Sequence, residues 1–403
     1  MVSGTPESRE NLKENVAING PNPQFANPDI KHKDRNMLRG MKIAVLMAGL
    51  VFALADPARA DAGNANDTAR LLAGLPLSLN SPLERFASDP AWKQHAQAFN
   101  GAWKKLDDGQ LKKVRAWSEA NVKDPQATLF YTFSGPDFLY ADALFPKAKT
   151  YVLAGLEAVG AVPEINERTK YALSNLRASM NTVLNLSFFI TRHMRDQLHD
   201  GTQLTGTLPI LYVFLARAGK EIKDVTLIQL ESDGSTRPVD HSLRGRASGK
   251  AGSGVKIDFA DADGTQRTLY YFSTDLSDPG VKTTGFLPFC EKLAPGDSFL
   301  KSASYLMHSD SFTTIRDFLV AHSRTIVQDD SGIPLRAFKA GEWQFYPFGN
   351  YLHPLGIFPG TYQPKLKEMF AKAPKLDFGV GYRHRPNESN LMIAVRNNVK
   401  AGQ

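Results

Sequence analysis

The stretch ATLFYTFSGPDFLYADALFPKAKTYVLAGLEAVG, Ala127 to Gly160, decides the fold. ATLFYTFSG, Ala127 to Gly135, reads as one strand, and KTYVLAGLEAVG, Lys149 to Gly160, as a second. Between them a tight polar turn sets Asp137 and Asp142 among aromatics. Both strands are apolar almost throughout, as strands are when a sheet is covered on both faces by helices.

Outward from this unit, helix and strand patterns alternate. Upstream, Trp92, Ala96, Phe99, Trp103, Leu106, Leu111, Val114 and Trp117 recur at near-helical spacing, so residues 61–125 form a helical N-terminal region that Lys123 to Pro125 closes. Downstream, the spacing predicts helices over residues 165–198 and 206–222, followed by a strand at Val225 to Leu230. Asp233-Gly234 and Asp263-Gly264 each mark a hairpin turn between β-type runs. The loop from His241 to Gly254 between them is small, basic and flexible in composition. A helix near Thr284 to Leu293, a strand FLKSASYLMH, a helix SFTTIRDFLVAHS and a strand RTIVQDD continue the alternation, and LMIAVRNNV supplies a last strand. Residues 341–386, rich in Gly, Pro and aromatics, read as a long loop capping the sheet, with Gly349 and Gly356 as hinges of a lid. The expected architecture is α/β: three layers, a mixed but mainly parallel sheet covered by helices, and a β-hairpin insertion, in one compact unit over residues 61–403.

The 403 residues are 42% hydrophobic and 22% charged, which suits a globular protein with a sizeable core. The net charge of +7 arises from 48 Lys and Arg interspersed with 41 Asp and Glu, without the basic runs that track a nucleic-acid backbone. A nucleic-acid partner is therefore not expected. A single cysteine, Cys290, excludes an internal disulfide and any cysteine-based metal cluster, and its apolar neighbours mark a buried structural thiol.

Lys31 to Gly63 has the three parts of a secretory signal in order. A basic front is followed by an apolar run from Ile43 to Ala55 and by Ala58-Arg59-Ala60, an A-x-A cleavage pattern. The run is shorter than the ~20 residues of a membrane-spanning helix. The expectation is a polar leader over 1–40, a signal peptide over 41–60, cleavage between Ala60 and Asp61, and a periplasmic or secreted protein without stable membrane insertion. Because a signal peptide opens its chain, Met37 or Met41 is the expected translation start.

Three polar clusters fall at predicted strand ends, where ligands of open α/β sheets bind. They are Ser134-Gly135-Pro136-Asp137, His308-Ser309-Asp310 and Asp329-Asp330-Ser331-Gly332. If the strands are parallel and adjacent, Asp137 and His308 become acid and base, and Asp330 orients the base or a polar substrate group. Ser134, Asp142 and Asp329 join as ligand-binding candidates. Each cluster also has a purely structural reading: Asp137 as a helix cap, Ser309 to Ser311 as another, and Asp329 to Gly332 as a β-turn. Tyr346, Tyr351, His353 and Tyr362 carry polar tips on apolar bodies, which suits a pocket wall for sugars or other amphipathic ligands, with Trp343, Tyr346 and Tyr351 as the residues that would stack on one.

His193, Asp196 or Gln197, and Asp200 share a helix face, but this is the pattern of a solvated helix end, and no H-E-x-x-H, Walker A loop, G-x-G-x-x-G or G-x-S-x-G is present. The sequence thus assigns no metal and leaves the cofactor open. The strand, GPD turn and strand ending at Glu157 look loosely like the start of a nucleotide- or methyl-donor-binding unit, against which export argues. FYTFSGPDFLYADALFPKAKTYVLAGLE, SASYLMHSDSFTTIR and IVQDDSGIP resemble a family of exported bacterial proteins with no assigned function. That resemblance implies a single unit over residues 61–403 and supplies no catalytic residues. The functional expectation is a periplasmic hydrolase acting on a polar or sugar-like substrate; the alternative is a non-catalytic ligand-binding or envelope-associated protein.

Overall fold

A computed structural model describes residues 62–188, 196–199, 203–239 and 252–397. The leader, the signal peptide, His193, Asp200 and most of the basic loop lie outside the described residues. In chain order the elements begin with helices α1 (Ala62–Leu72), α2 (Glu84–Ala87), α3 (Pro90–Leu106) and α4 (Lys112–Asn121). A π-helical turn, Asp107–Leu111, joins α3 to α4. Next come β1 (Thr128–Tyr131), α5 (Phe138–Leu144), β2 (Thr150–Gly155), α6 (Thr169–Leu186) and α7 (Leu208–Arg217). Strands β3 (Glu221–Leu230), β4 (Thr236–Pro238), β5 (Gly252–Ala260) and β6 (Gln266–Ser273) follow. The chain then forms α8 (Asp278–Val281), α9 (Phe286–Glu291), β7 (Gly296–Leu300), α10 (Thr313–His322) and β8 (Ser323–Gln328). It ends with β9 (Trp343–Gly349), α11 (Pro364–Phe370) and β10 (Asn390–Arg396).

Among the described residues ten strands join one mixed sheet in the order β4-β3-β5-β6-β2-β1-β7-β8-β10-β9. Strands β6, β2, β1, β7 and β8 are mutually parallel, whereas β3, β4 and β5 continue antiparallel from β6. At the other edge β10 is antiparallel to both β8 and β9. The apolar character of the central strands follows from their alternation. Leu129 and Tyr131 of β1, with Tyr151 and Leu153 of β2, face a core that includes residues from α1, α3 to α7. Phe130, Val152 and Ala154 face a second core with residues from α8 to α11. Side chains on both faces of one strand are thus removed from water, which is why these runs lack the period of two seen in a half-exposed strand. Cys290 lies in the second core, where burial raises its thiol well above the usual range.

Three expectations are corrected. The strand predicted through His308 stops at Leu300, because Ser302, Ser304 and Tyr305 all adopt positive φ, which no strand accommodates. Residues 341–386 are not one capping loop: they hold β9 and α11, the strand because its backbone pairs with β10 from Trp343 to Gly349. Gly349 is no lid hinge, since it ends that strand at φ +89° and a Cβ there would lie 2.2 Å from Ser389 O.

Candidate functional site

The carboxyl ends of β1, β7 and β8 lie side by side, and the sequence places a charged group just beyond each. After β1, the chain turns through Phe133 (φ +59°) and Gly135 (φ +55°) to Asp137, which caps α5 by accepting from Tyr140 N at 3.3 Å. The cap is therefore real, but it uses only one carboxylate oxygen. The other, Oδ2, is 2.7 Å from Lys301 Nζ and accepts the Tyr131 hydroxyl at 2.7 Å. Lys301 is the first residue after β7. Its ammonium also donates to Ser187 O and stands 3.9 Å from the Tyr140 ring centre. Both partners are only 2% exposed at the side chain. Burial pushes the Asp137 carboxyl up and the Lys301 ammonium down, and each charge opposes the other's loss.

Beyond Lys301 the backbone is strained. Ser302, Ser304 and Tyr305 hold φ near +53°, +52° and +53°, a region that costs non-glycine residues about 1 kcal/mol or more each. What holds them there is the polar network of the site. Ser302 N donates to Asp329 Oδ2 at 2.9 Å, Ala303 N to Ser331 Oγ at 2.8 Å, and the Ser304 and Tyr382 hydroxyls are 2.7 Å apart. Tyr382 donates on to Ser302 O at 3.0 Å.

Asp329 and Asp330 follow β8 directly. Asp329 accepts from Ser331 N and Oγ, and Gly381 closes over it: at φ +65°, a Cβ on Gly381 would sit 2.1 Å from Asp329 Oδ2. Only glycine brings the backbone this close. Asp330 accepts the Tyr305 hydroxyl and exchanges two hydrogen bonds with Asn390, at 2.8 and 3.1 Å. Burial and the adjacent Asp330 charge raise the Asp329 carboxyl to about 7. Both carboxylates line a cavity of about 10 Å³, room for roughly one water, together with Gln328, Gln363 and Asn390.

Asp137 and Asp329 are thus brought together around Lys301, with Asp330 next to Asp329, and His308 is not. It sits in a 3-10 turn, edge-on to Tyr305 at 5.3 Å, and among the described residues no side chain bonds its ring. Burial, then Arg336 and Arg316, lower its pKa to about 4, so it is neutral at neutral pH. Ser134 is buried beside the site, its hydroxyl donating to Gly135 O at 2.8 Å. Asp142 is elsewhere: it pairs with Lys220 at 2.7 Å, within reach of Asp261 and Arg267, near the amino end of β6. Of the three aromatics, Trp343 and Tyr351 are buried in the second core, and Tyr346 alone reaches solvent. They do not form one stacking wall.

No family model matches this chain, and neither a curated protein nor a solved structure does.

The residues missed from the sequence are Lys301, Ser302, Tyr305, Gly381, Tyr382 and Asn390. One signal was available for the first: GDSFLK places a lysine directly after an apolar strand, one residue from a serine-rich turn. Nothing local marks Gly381 or Asn390, which arrive from another part of the chain. Among the described residues no helix is long and apolar enough to cross a membrane, and no three metal-ligating side chains cluster.

Proposed function

We propose that the chain is an exported enzyme, hydrolytic in type, that takes a polar small molecule at the carboxyl ends of β1, β7 and β8. Asp329 exchanges the proton with substrate, Asp330 and Asn390 bind a polar substrate group, and the Asp137–Lys301 pair positions the β7 turn. The fold reading behind this is a sheet layered between helices, with β3, β4 and β5 as an antiparallel insertion between β2 and β6. Export rests on the signal-like segment, with a mature chain starting at Asp61.

The observation that carries the reading is the Asp329 carboxyl. Burial and the adjacent Asp330 charge raise it toward neutrality, beside a cavity and under backbone of unfavourable φ. A general acid or base works best with a pKa near the operating pH, and strain of this kind gathers at functional sites. His308, lowered to about 4, lacks that match.

Two measurements test it. The protein is screened against pools of glycosides, esters and amides. Asp329→Asn is expected to lose turnover by about 100-fold or more, while His308→Ala keeps it; a folded Asp329→Asn protein with full turnover overturns the assignment.

The second measurement is stability against pH. Asp329 has a folded pKa raised above its unfolded value near 4, so the native state binds the proton more tightly. Its contribution is complete below about pH 4 and is lost as pH rises toward about 7. Asp329→Asn should remove a downward slope of up to about 1.4 kcal/mol per pH unit in that window.

A further inference from the structure

Across the sheet the parallel strands run third, second, first, fourth, fifth in chain order: β6, β2, β1, β7, β8. The winding therefore reverses between β1 and β7. In open α/β sheets the crevice at that reversal, beyond the carboxyl ends of the strands, is where ligands bind. The Lys301 and Asp329 cluster occupies one side of it, and β2 borders the other.

On the β2 side two glycines meet. A Cβ on Gly155, the last residue of β2, would lie 3.0 Å from Gly135 Cα and 2.2 Å from Glu157 Oε2. A Cβ on Gly135 would have both Glu157 carboxylate oxygens at 3.4 and 3.6 Å. The Glu157 carboxylate thus lies across the bare backbone of the β1 turn. The Tyr271 hydroxyl anchors the segment, donating to Glu157 O at 2.7 Å and standing 3.4 Å from Oε2. Glu157 follows Gly135 by 22 residues. In nucleoside-binding crevices of this winding, an acidic side chain about 20 residues past the turn glycine accepts the ribose hydroxyls. A vicinal diol presents two donors to the two acceptor oxygens of one carboxylate.

Neighbouring groups narrow the ligand. Thr132 and Thr274 are buried just beyond β1 and β6, on either side of β2, and their hydroxyls have no hydrogen-bond partner among the described residues. Leu156, 54% exposed next to Glu157, offers apolar surface to a base. A phosphate is disfavoured. The helix start that holds pyrophosphate in dinucleotide sites is here the short α5, capped by the Asp137 carboxylate and preceded by Pro136, which has no N–H to give.

We propose that this side of the crevice binds a ribonucleoside carrying no phosphate, with Glu157 accepting its 2′- and 3′-hydroxyls. This rests on the reading of a small-molecule site at the strand ends and names its ligand class. A free nucleoside, unlike a nucleotide cofactor, also suits an exported protein.

The test is calorimetric titration of the whole protein with adenosine, guanosine, cytidine and uridine. Ribose, 2′,3′-dideoxyadenosine and adenosine monophosphate serve as comparison ligands. At least one ribonucleoside is expected to bind. Glu157→Gln, checked for folding by circular dichroism, and the dideoxy analogue should each weaken binding by about tenfold or more. Adenosine monophosphate should bind more weakly than adenosine. The proposal is overturned if no ribonucleoside binds, if Glu157→Gln binds unchanged, if ribose alone binds as tightly, or if the phosphate tightens binding. Should nucleosides fail while Asp329→Asn still removes the pH slope and the turnover, the strand-end site stands and only its ligand class is wrong.

Discussion

Lys301 shows how one residue can carry a site that its neighbours in sequence do not reveal. An ammonium buried to 2% exposure survives only because Asp137 lies 2.7 Å away and Ser187 O and the Tyr140 ring take its remaining sides. Removing one member of such a pair leaves a buried charge uncompensated, which costs about 3–5 kcal/mol, whereas removing both charges is far milder. Lys301→Met and Asp137→Asn should each lower stability by that amount in urea unfolding, and the double variant should recover a large part. Equal loss in the double variant would show that the pair does not act as a unit. The cap on α5 belongs to the same residue, so Asp137→Asn, which keeps an N-capping side chain, isolates the charge from the cap.

At the scale of elements, the junction of β7 and β8 depends on a carboxylate at the opposite end of the strands. The register between them shifts after Gly296, pairing Gly296 with Ser323 but Ser298 with Ile326, so one residue of β8 bulges out of the ladder. Asp297, buried beside the bulge, accepts Thr325 N at 3.0 Å and Gln126 N at 2.7 Å, tying the entry to β1 to both strands. Burial raises its carboxyl to about 6 despite those bonds. Asp297→Ala leaves two N–H groups without acceptors, each worth about 1–3 kcal/mol. The expected result is a loss of about 2–6 kcal/mol, with faster amide exchange at Gln126 and Thr325; unchanged exchange at both would contradict the bridging role. The same shift sets where β8 ends, and hence where Asp329 and Asp330 stand relative to Ser302.

For the whole molecule, two cores share one sheet, because alternate residues of β1, β2, β7, β8 and β10 enter opposite faces. A face cannot lose its packing while the strands keep theirs, so the faces should unfold together. The tryptophans divide to report this: Trp92, Trp103 and Trp117 pack on the first core, and Trp343 belongs to the second. A Trp343→Phe variant and a variant keeping only Trp343 should show coincident denaturant midpoints once corrected for their own stabilities. Two separated transitions within one variant would show that the faces unfold independently.

The apolar runs at Leu129 and Val152 determined two buried strands by themselves, because a fully apolar strand admits no solvent face. Asp263-Gly264 likewise determined the β5–β6 turn through its tolerance of left-handed backbone, and the near-helical spacing of Trp92 to Trp117 determined α3 and α4. Those properties are local, and a sequence window contains them. The strand order is not local: it depends on which apolar faces cover one another, and it alone put Asp137, Lys301 and Asp329 around one point while leaving His308 and Asp142 outside. Glycine 381 and Asn390 belong to the site only because β10 inserts antiparallel beside β8, carrying distant backbone over a carboxylate that no side chain larger than hydrogen would clear.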